Sequence, residues 1–108
     1  MATERQVEMA DKIIIHADPD VQELIPHFLE NRLQDVAAMT RALEVKDYET
    51  IRRLGHSMKG AGEGYGFDQI TVIGAQLEEY AKTQKHAEIK SKIAELTLYL
   101  ERVEVLYE

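Results

Sequence analysis

The sequence predicts an all-α fold, an up-down antiparallel four-helix bundle preceded by a short N-terminal helix or an extended lead-in. In four successive segments the apolar residues recur every three or four positions, which is the period of an amphipathic helix. Short connections with turn or capping residues separate these segments, and no repeat or low-complexity run divides the chain. We therefore expect a single domain over 1–108, with a lead-in over 1–17 and the bundle over about 18–107.

Composition narrows the class of protein. A chain of 108 residues with 44% hydrophobic residues can build one core, and the absence of cysteine excludes disulfides, thiolate nucleophiles and most structural zinc sites. The net charge of −7 argues against nucleic acid as a partner. No apolar run reaches the roughly 18 residues of a membrane span, and the start lacks the pattern of a secretion signal. We expect a cytoplasmic monomer that binds neither membranes nor nucleic acid.

The N-terminal part contains a β-branched run and a helix start. The run Ile13-Ile14-Ile15 has the composition of a strand, but the later sequence offers no convincing partner, so we expect a lead-in whose isoleucines lie across the helices. Asp18-Pro19-Asp20 predicts a helix start, with a side-chain acceptor followed by proline. Pro26 then either kinks this helix or ends a short one.

Beyond Pro26 an amphipathic helix is predicted to about Val45. Phe28 and Met39 lie at the edge of its apolar stripe, where they belong either to the core or, with Ile14, to an apolar docking patch. The residues assigned to the stripe itself are Ile25, Leu29, Leu33, Val36, Ala37, Thr40 and Leu43.

Three further helices follow. Asp47 is the candidate N-cap of a helix from Tyr48 to about Glu63, which ends in a glycine-rich turn. Asp68 is the candidate cap of the next helix, and the last helix runs from about His86 to Tyr107. Their apolar residues, helix by helix, are Ile51, Leu54, Met58 and Ala61, then Ile70, Ile73, Gly74, Leu77, Tyr80 and Ala81, then Ile89, Ile93, Leu96, Leu100, Val103 and Tyr107.

His56 is the candidate for chemistry. The helical period places it about 160° from the middle of the apolar face, and Arg52, Lys59 and Gly60 surround it on the outer side. A neutral imidazole nitrogen has a lone pair that can receive a phosphoryl group, and a nearby ammonium can offset the phosphoryl charge. Gly60 costs the helix about 0.5 to 1 kcal/mol, which close approach of another molecule would explain. The alternative is an ordinary surface histidine beside glycines that fray a helix end and permit close packing.

A family resemblance rests on this run. The chain reads His-Ser-Met-Lys-Gly-Ala-Gly over 56–62 and Tyr-Gly-Phe over 65–67. It resembles the signature of histidine-containing phosphotransfer (HPt) domains, and it is particularly similar to the phosphorylated first domain of chemotaxis histidine kinases. The resemblance implies a phosphorelay phosphocarrier without kinase activity. His56 would accept phosphate on Nε2 and exchange it with the aspartate of a response-regulator receiver domain, while Lys59 neutralises the phosphate and Gly60 leaves room for the receiver.

The resemblance also implies a supporting residue, a docking surface and partners. Ungapped counting from His56 reaches Glu78, which would bond the other ring nitrogen or else be a solvated surface glutamate. Lys82, one turn further, would add positive charge or be a solvated helix-end lysine. The expected partners are a receiver domain and a histidine kinase or hybrid kinase, with no intrinsic cofactor and with magnesium supplied by the receiver. The docking surface would comprise Phe28, Met39, Arg52, Arg53 and Lys82.

Other classes of function fit less well. His16, His27 and His86 lack metal-ligand spacing, and the glycine run follows a helix and lacks Gly-Lys-Ser/Thr, so a nucleotide loop is not supported. Ser57 and Ala61 stand where the dimerisation helices of ordinary histidine kinases carry an acid and a proline. Between a free-standing protein and a fragment of a larger kinase, we expect the free-standing protein. A scaffold bundle that binds a signalling partner through an apolar patch, without chemistry, remains the alternative function.

Overall fold

The computed structural model of the chain describes residues 12–107, and the first eleven positions of the predicted lead-in therefore lie outside the described residues. A short strand and a 3₁₀ helix precede four α-helices, and a second strand follows them. In chain order the elements are β1 (Ile13–Ala17), the 3₁₀ helix (Pro19–Val21), α1 (Ile25–Glu44), α2 (Tyr48–Tyr65), α3 (Asp68–Lys82), α4 (His86–Arg102) and β2 (Val103–Tyr107).

The four helices form a closed ring around one core. Each helix packs against its neighbours along the chain, α1 and α4 complete the ring, and α2 and α3 make the most extensive contact. The predicted all-α bundle is confirmed. No helix within 12–107 is long and apolar enough to cross a membrane. The side chains at the centre of the core are fully buried and include Ile51, Met58, Phe67, Ile70, Ile73, Leu77, Ile89, Leu96 and Tyr99.

The chain has a short strand before the four helices and another after them, and neither strand was predicted. β1 pairs in parallel with β2, with Ile13 opposite Val103 and Ala17 opposite Tyr107. The isoleucine run thus has the partner strand that was not expected, and the last helix ends at Arg102, short of Tyr107. Alternate residues of each strand turn toward the bundle, which supports a pair of strands that would be only marginally stable in isolation.

The start of α1 decides between the two expectations for Pro26. Asp18 accepts a hydrogen bond from the Asp20 backbone nitrogen at 2.8 Å and caps a 3₁₀ helix that ends at Val21. Pro26 lies in the first turn of α1, where a missing backbone N–H costs nothing. A short helix therefore ends before Pro26, and α1 begins afresh rather than continuing with a kink.

The buried face of α1 differs from the predicted stripe. Leu33 is half exposed, whereas Phe28 and Met39 are 5% and 0% exposed and belong to the core. Between Phe28 and Met39 this face carries Arg32 and Asp35, which are ion-paired at 2.8 Å and mostly shielded from solvent. The Arg32 guanidinium also lies 4.9 Å from the centre of the Phe28 ring. Because these two charged residues lie on the buried face of α1, a pattern based on apolar spacing did not identify that face.

Glycines allow α2 and α3 to approach closely. A methyl group on Gly55 would lie 2.8 Å from the Gly74 carbonyl oxygen, and one on Gly62 would lie 2.8 Å from the Thr71 backbone nitrogen. Real side chains essentially never tolerate such distances to backbone atoms, so the two helices pack backbone to backbone here. This contact brings the middle of α2 against the second half of α3.

The ends of α2 follow the predicted capping rules, but the start of α3 does not. The Asp47 side chain accepts from the Thr50 backbone nitrogen at 3.2 Å, and Gly66 ends α2 in the left-handed conformation at φ 81°. Asp68 is the first residue of α3 rather than its cap, because Phe67 occupies the cap position and no side chain bonds the helix start. Phe67 is instead held by burial in the core.

Candidate functional site

His56 lies in the middle of α2 on its outer side. The side chain is 66% exposed, as the helical period predicts, while Met58 on the opposite side is buried. The helix is anchored at both ends by the Asp47 cap and the Gly66 turn, so the backbone under His56 is held in a regular helix. The imidazole is thus accessible to a large partner and fixed at its base.

Glu78 on α3 reaches across the close contact to the imidazole. Its Oε2 lies 2.9 Å from His56 Nδ1, and its Oε1 accepts from Lys59 Nζ at 3.1 Å. The Glu78 side chain is only 11% exposed, whereas the side chains of its partners His56 and Lys59 are 66% and 38% exposed. One carboxylate therefore orients both the imidazole and the ammonium.

The protonation state of Glu78 determines which nitrogen of His56 carries hydrogen. The hydrogen bond from Lys59 is the main cause that holds the pKa of Glu78 below its usual range, against the opposing effect of burial, and the bond to His56 adds to it. An ionised carboxylate has no hydrogen to donate. His56 Nδ1–H must then be the donor, and in the neutral ring Nε2 is left with a free lone pair. This nitrogen lies on the far edge of the ring from Glu78.

Gly60 lies one turn after His56 on an open face. A methyl group added there would meet nothing within 4 Å, and the same is true of Gly64 another turn along. Neither residue has the positive φ that would require glycine. Contacts within residues 12–107 therefore give no structural reason for glycine at 60 or 64, in contrast to Gly55 and Gly62.

Two arginines lie at the N-terminal side of His56. Arg52, one turn earlier, donates from Nε to Glu49 at 3.0 Å and also pairs with that carboxylate through its second guanidinium nitrogen. Arg53 donates to the Thr50 hydroxyl at 3.4 Å. Both guanidinium groups are thus bonded to residues near the start of α2.

Lys82 approaches Glu78 from the end of α3. Its Nζ lies 4.0 Å from Glu78 Oε2, and its side chain is half exposed. Lys82 also borders a polar hollow between the start of α2 and the end of α3, which is lined by Tyr48, Glu49, Arg52, Ala81, Lys82 and Gln84. A separate, more apolar hollow between α1 and α4 shares none of these residues.

The structure brings some of the predicted site residues together and separates others. His56, Lys59 and Glu78 form one hydrogen-bonded group, with Lys82 at its border. Phe28 and Met39 must be removed from the docking surface, because both are core residues. Of the two readings given for them, core edge is therefore the correct one.

The sequence interpretation missed the contribution of the glycine pair Gly55 and Gly74. A methyl group on Gly74 would lie 2.7 Å from the Lys59 backbone nitrogen, so this close contact lies directly beneath the hydrogen-bonded group. The signal was present in the sequence, since a glycine inside a helical pattern often marks close packing. Its partner on the other helix could not be read from spacing alone.

Comparison with protein families gives a result that agrees with this geometry. The model of the Hpt domain matches residues 23–105, which is most of the chain. The chain belongs to the Hpt domain family. Hpt domains are phosphocarriers of two-component signalling, which exchange phosphoryl groups with histidine kinases and receiver domains. Comparison with curated proteins and with solved structures gave no match. The closer similarity to the first domain of chemotaxis kinases stays a prediction.

The described part of the chain was also compared with the pattern of a metal site, which requires several acidic, histidine or cysteine side chains close together. Within 12–107 no three or more His, Cys, Asp or Glu residues converge in that way. The reactive group that the described residues offer is the His56 imidazole with its two charged neighbours.

Proposed function

We propose that the chain is a phosphorelay carrier in which His56 Nε2 accepts a phosphoryl group and exchanges it with the aspartate of a receiver domain. The observation that carries the proposal is the hydrogen bond between His56 Nδ1 and Glu78 Oε2. It directs the lone pair to Nε2, which faces solvent on an accessible ring. A histidine that served only as a surface residue would not need a largely buried carboxylate behind it.

The transfer step conserves atoms and charge. The Nε2 lone pair attacks the phosphorus of the receiver's acyl phosphate, the bond between phosphorus and the aspartate oxygen breaks, and the aspartate leaves as a carboxylate. The Nδ1 proton stays on the ring, which becomes positively charged next to the phosphoryl dianion. Glu78 stabilises this charge through the bond it already makes. Transfer back to the receiver reverses each change.

Lys59 and Gly60 act on the outer side of His56. The Lys59 side chain is 38% exposed and lies one turn from the imidazole, so its ammonium can neutralise the phosphoryl oxygens. Gly60 leaves the helix backbone bare at the next turn, which lets a receiver domain approach without meeting a side chain. Arg52, Arg53 and Lys82 supply positive charge around this contact.

The partners of this reaction are a receiver domain and a histidine kinase or hybrid kinase. Magnesium, where the reaction uses it, belongs to the receiver's acidic site. The chain itself contributes no kinase chemistry, because it acts by receiving and donating a phosphoryl group. A cytoplasmic location, expected from the sequence, remains part of this proposal.

A transfer assay tests the proposal. The chain is mixed with a panel of receiver domains carrying radiolabelled phosphate, and the label on the chain is tested for the acid lability and base stability of phosphohistidine. We expect label on the wild type and on His27→Gln, a matched exposed histidine in α1, but not on His56→Gln. Lys59→Ala should be labelled more slowly with its fold intact. Label that persists in His56→Gln, or no label from any receiver, would reject the carrier and favour a scaffold without chemistry.

A further inference from the structure

The Glu78 carboxylate faces three groups but is bonded to only two of them. His56 Nδ1 and Lys59 Nζ lie at 2.9 and 3.1 Å, whereas Lys82 Nζ lies at 4.0 Å from Oε2. Charge-assisted N–H···O bonds are usually about 2.7 to 2.9 Å long, so Lys82 Nζ is roughly 1 Å too far from Glu78 Oε2 for a hydrogen bond. In the unphosphorylated chain Lys59 is the counter-ion of Glu78, and Lys82 stands beside it.

Phosphorylation changes what Lys59 must neutralise. A phosphoryl group on His56 Nε2 brings close to two negative charges and three strong acceptors to the outer side of α2. Lys59 is drawn toward them, because it lies one turn away on the same helix. The Glu78 side chain is only 11% exposed, so its carboxylate loses its counter-ion at a cost in free energy. Glu78 therefore requires another cation in the phosphorylated state.

Lys82 meets the requirements for that cation. It follows Glu78 by four residues on α3, the favourable order for an acid and a base on one helix. Its side chain is half exposed and borders the polar hollow between the start of α2 and the end of α3, so its ammonium has room to move by the missing distance. Arg52 also lines this hollow, but its guanidinium is occupied by Glu49.

We propose that Lys82 is a positioning residue that takes over the neutralisation of Glu78 when Lys59 turns to the phosphoryl group on His56. This inference rests on the proposed carrier function. Lys82 forms no bond to phosphorus. It keeps Glu78 ionised, so that Glu78 continues to hold the Nδ1 proton and the positive charge of the phosphorylated ring. Phosphate on His56 is then stabilised by two lysines, one directly and one through Glu78.

Substitutions of Lys82 test the inference in the full chain. Lys82→Met removes the charge and keeps the length, Lys82→Arg keeps the charge, and Lys90→Met removes one charge from an exposed position on α4. The first readout is the plateau ratio, which is the ratio of label on the chain to label on the receiver once exchange with a labelled receiver has stopped changing. The second readout is the rate of back-transfer. We expect Lys82→Met to lower the plateau ratio about threefold and to speed back-transfer, the size of effect of one partly exposed ion pair. Lys82→Arg should restore the wild-type ratio, and Lys90→Met should not change it.

A double-mutant cycle with Glu78→Gln separates action through Glu78 from direct action on phosphate or on the receiver. If Lys82 acts through Glu78, Lys82→Met has no further effect in the Glu78→Gln background. Full additivity of the two effects, or a wild-type plateau ratio for Lys82→Met, overturns the inference while leaving the carrier function in place. A wild-type chain that never acquires acid-labile phosphate instead rejects the carrier function, and the inference with it.

Discussion

Glu78 on α3 holds the Nδ1 side of His56 on α2 at 2.9 Å, across the most extensive contact between two helices of the bundle. Because Lys59 keeps the pKa of Glu78 below its usual range, the carboxylate is ionised at neutral pH and acts only as an acceptor. The reactive nitrogen of His56 is thus set by a residue 22 positions away along the chain. Three consequences of this arrangement, and one of the open position at Gly60, can be measured.

Replacing Glu78 by glutamine should slow phosphoryl transfer to His56 about tenfold, the lower end of the effect seen when a group that orients a functional imidazole is lost. The amide can also donate, so it no longer requires the hydrogen to reside on Nδ1. Nitrogen-15 NMR of the imidazole should accordingly change from the Nδ1–H form in the wild type to a mixture of both forms. Glu79→Gln, a change at the neighbouring exposed glutamate, is the matched control. An unchanged tautomer with an unchanged rate would contradict the orienting role.

Acid should remove the stabilising contribution of Glu78. A carboxylate whose pKa is lower in the folded chain than its ordinary 4.5 stabilises the fold above that value, and the contribution is lost as the pH falls through the folded-state pKa. The difference in free energy of unfolding between wild type and Glu78→Gln should therefore shrink between pH 6 and pH 3. Urea unfolding at several pH values measures it. A difference that stays constant over this interval would show that Glu78 does not gain its partners in the folded chain.

Alanine at Gly55 should destabilise the domain and disturb the site. The added methyl group would lie 2.8 Å from both the Gly74 carbonyl oxygen and the Glu78 backbone nitrogen, so α2 and α3 must move apart. We expect a loss of about 1 to 3 kcal/mol in the free energy of unfolding, the usual cost of overpacking. Urea unfolding measures the loss, and transfer to His56 should slow in parallel because Glu78 is displaced. Wild-type stability for Gly55→Ala would mean that the close contact does not exist.

Alanine at Gly60 should have the opposite effect on stability. This position is open, so alanine gains about 0.5 to 1 kcal/mol of helix stability, while its methyl group obstructs a receiver that approaches the backbone. A more stable protein that accepts phosphate more slowly is therefore the expected result. Gly64→Ala, also at an open position, controls for the effect of helix stability on the transfer rate. Wild-type transfer by a stabilised Gly60→Ala would remove the close-approach role.

Much of the fold could be predicted because its signals are local. Asp47 and Gly66 act through their own backbone neighbours, and a helical period repeated over four segments predicts a bundle. The strands escaped prediction because β1 and β2 pair across ninety positions, Ile13 with Val103. Val103 and Tyr107 also continue the helical spacing of α4. This short apolar run therefore fitted the period of a helix as well as that of a strand.

The site was predictable in part for a related reason. The outward position of His56 follows from the helical period alone, and its charged neighbour Lys59 lies on the same helix. The partner on α3 could be located only by counting from a family pattern, since the packing of α2 on α3 depends on the complementary glycines Gly55 and Gly74. The faces of α1 were misjudged because a shielded Arg32–Asp35 pair interrupts its apolar residues.

If Nε2 of His56 carries the phosphoryl group, phosphorus-31 and nitrogen-15 must show a one-bond coupling at that atom. The chain is labelled with nitrogen-15 in its histidine rings, phosphorylated by a receiver domain and observed under alkaline conditions. We expect a single phosphorus resonance that is coupled to the Nε2 of His56 and is absent in His56→Gln. Coupling to Nδ1, to another histidine, or to no nitrogen at all would contradict it.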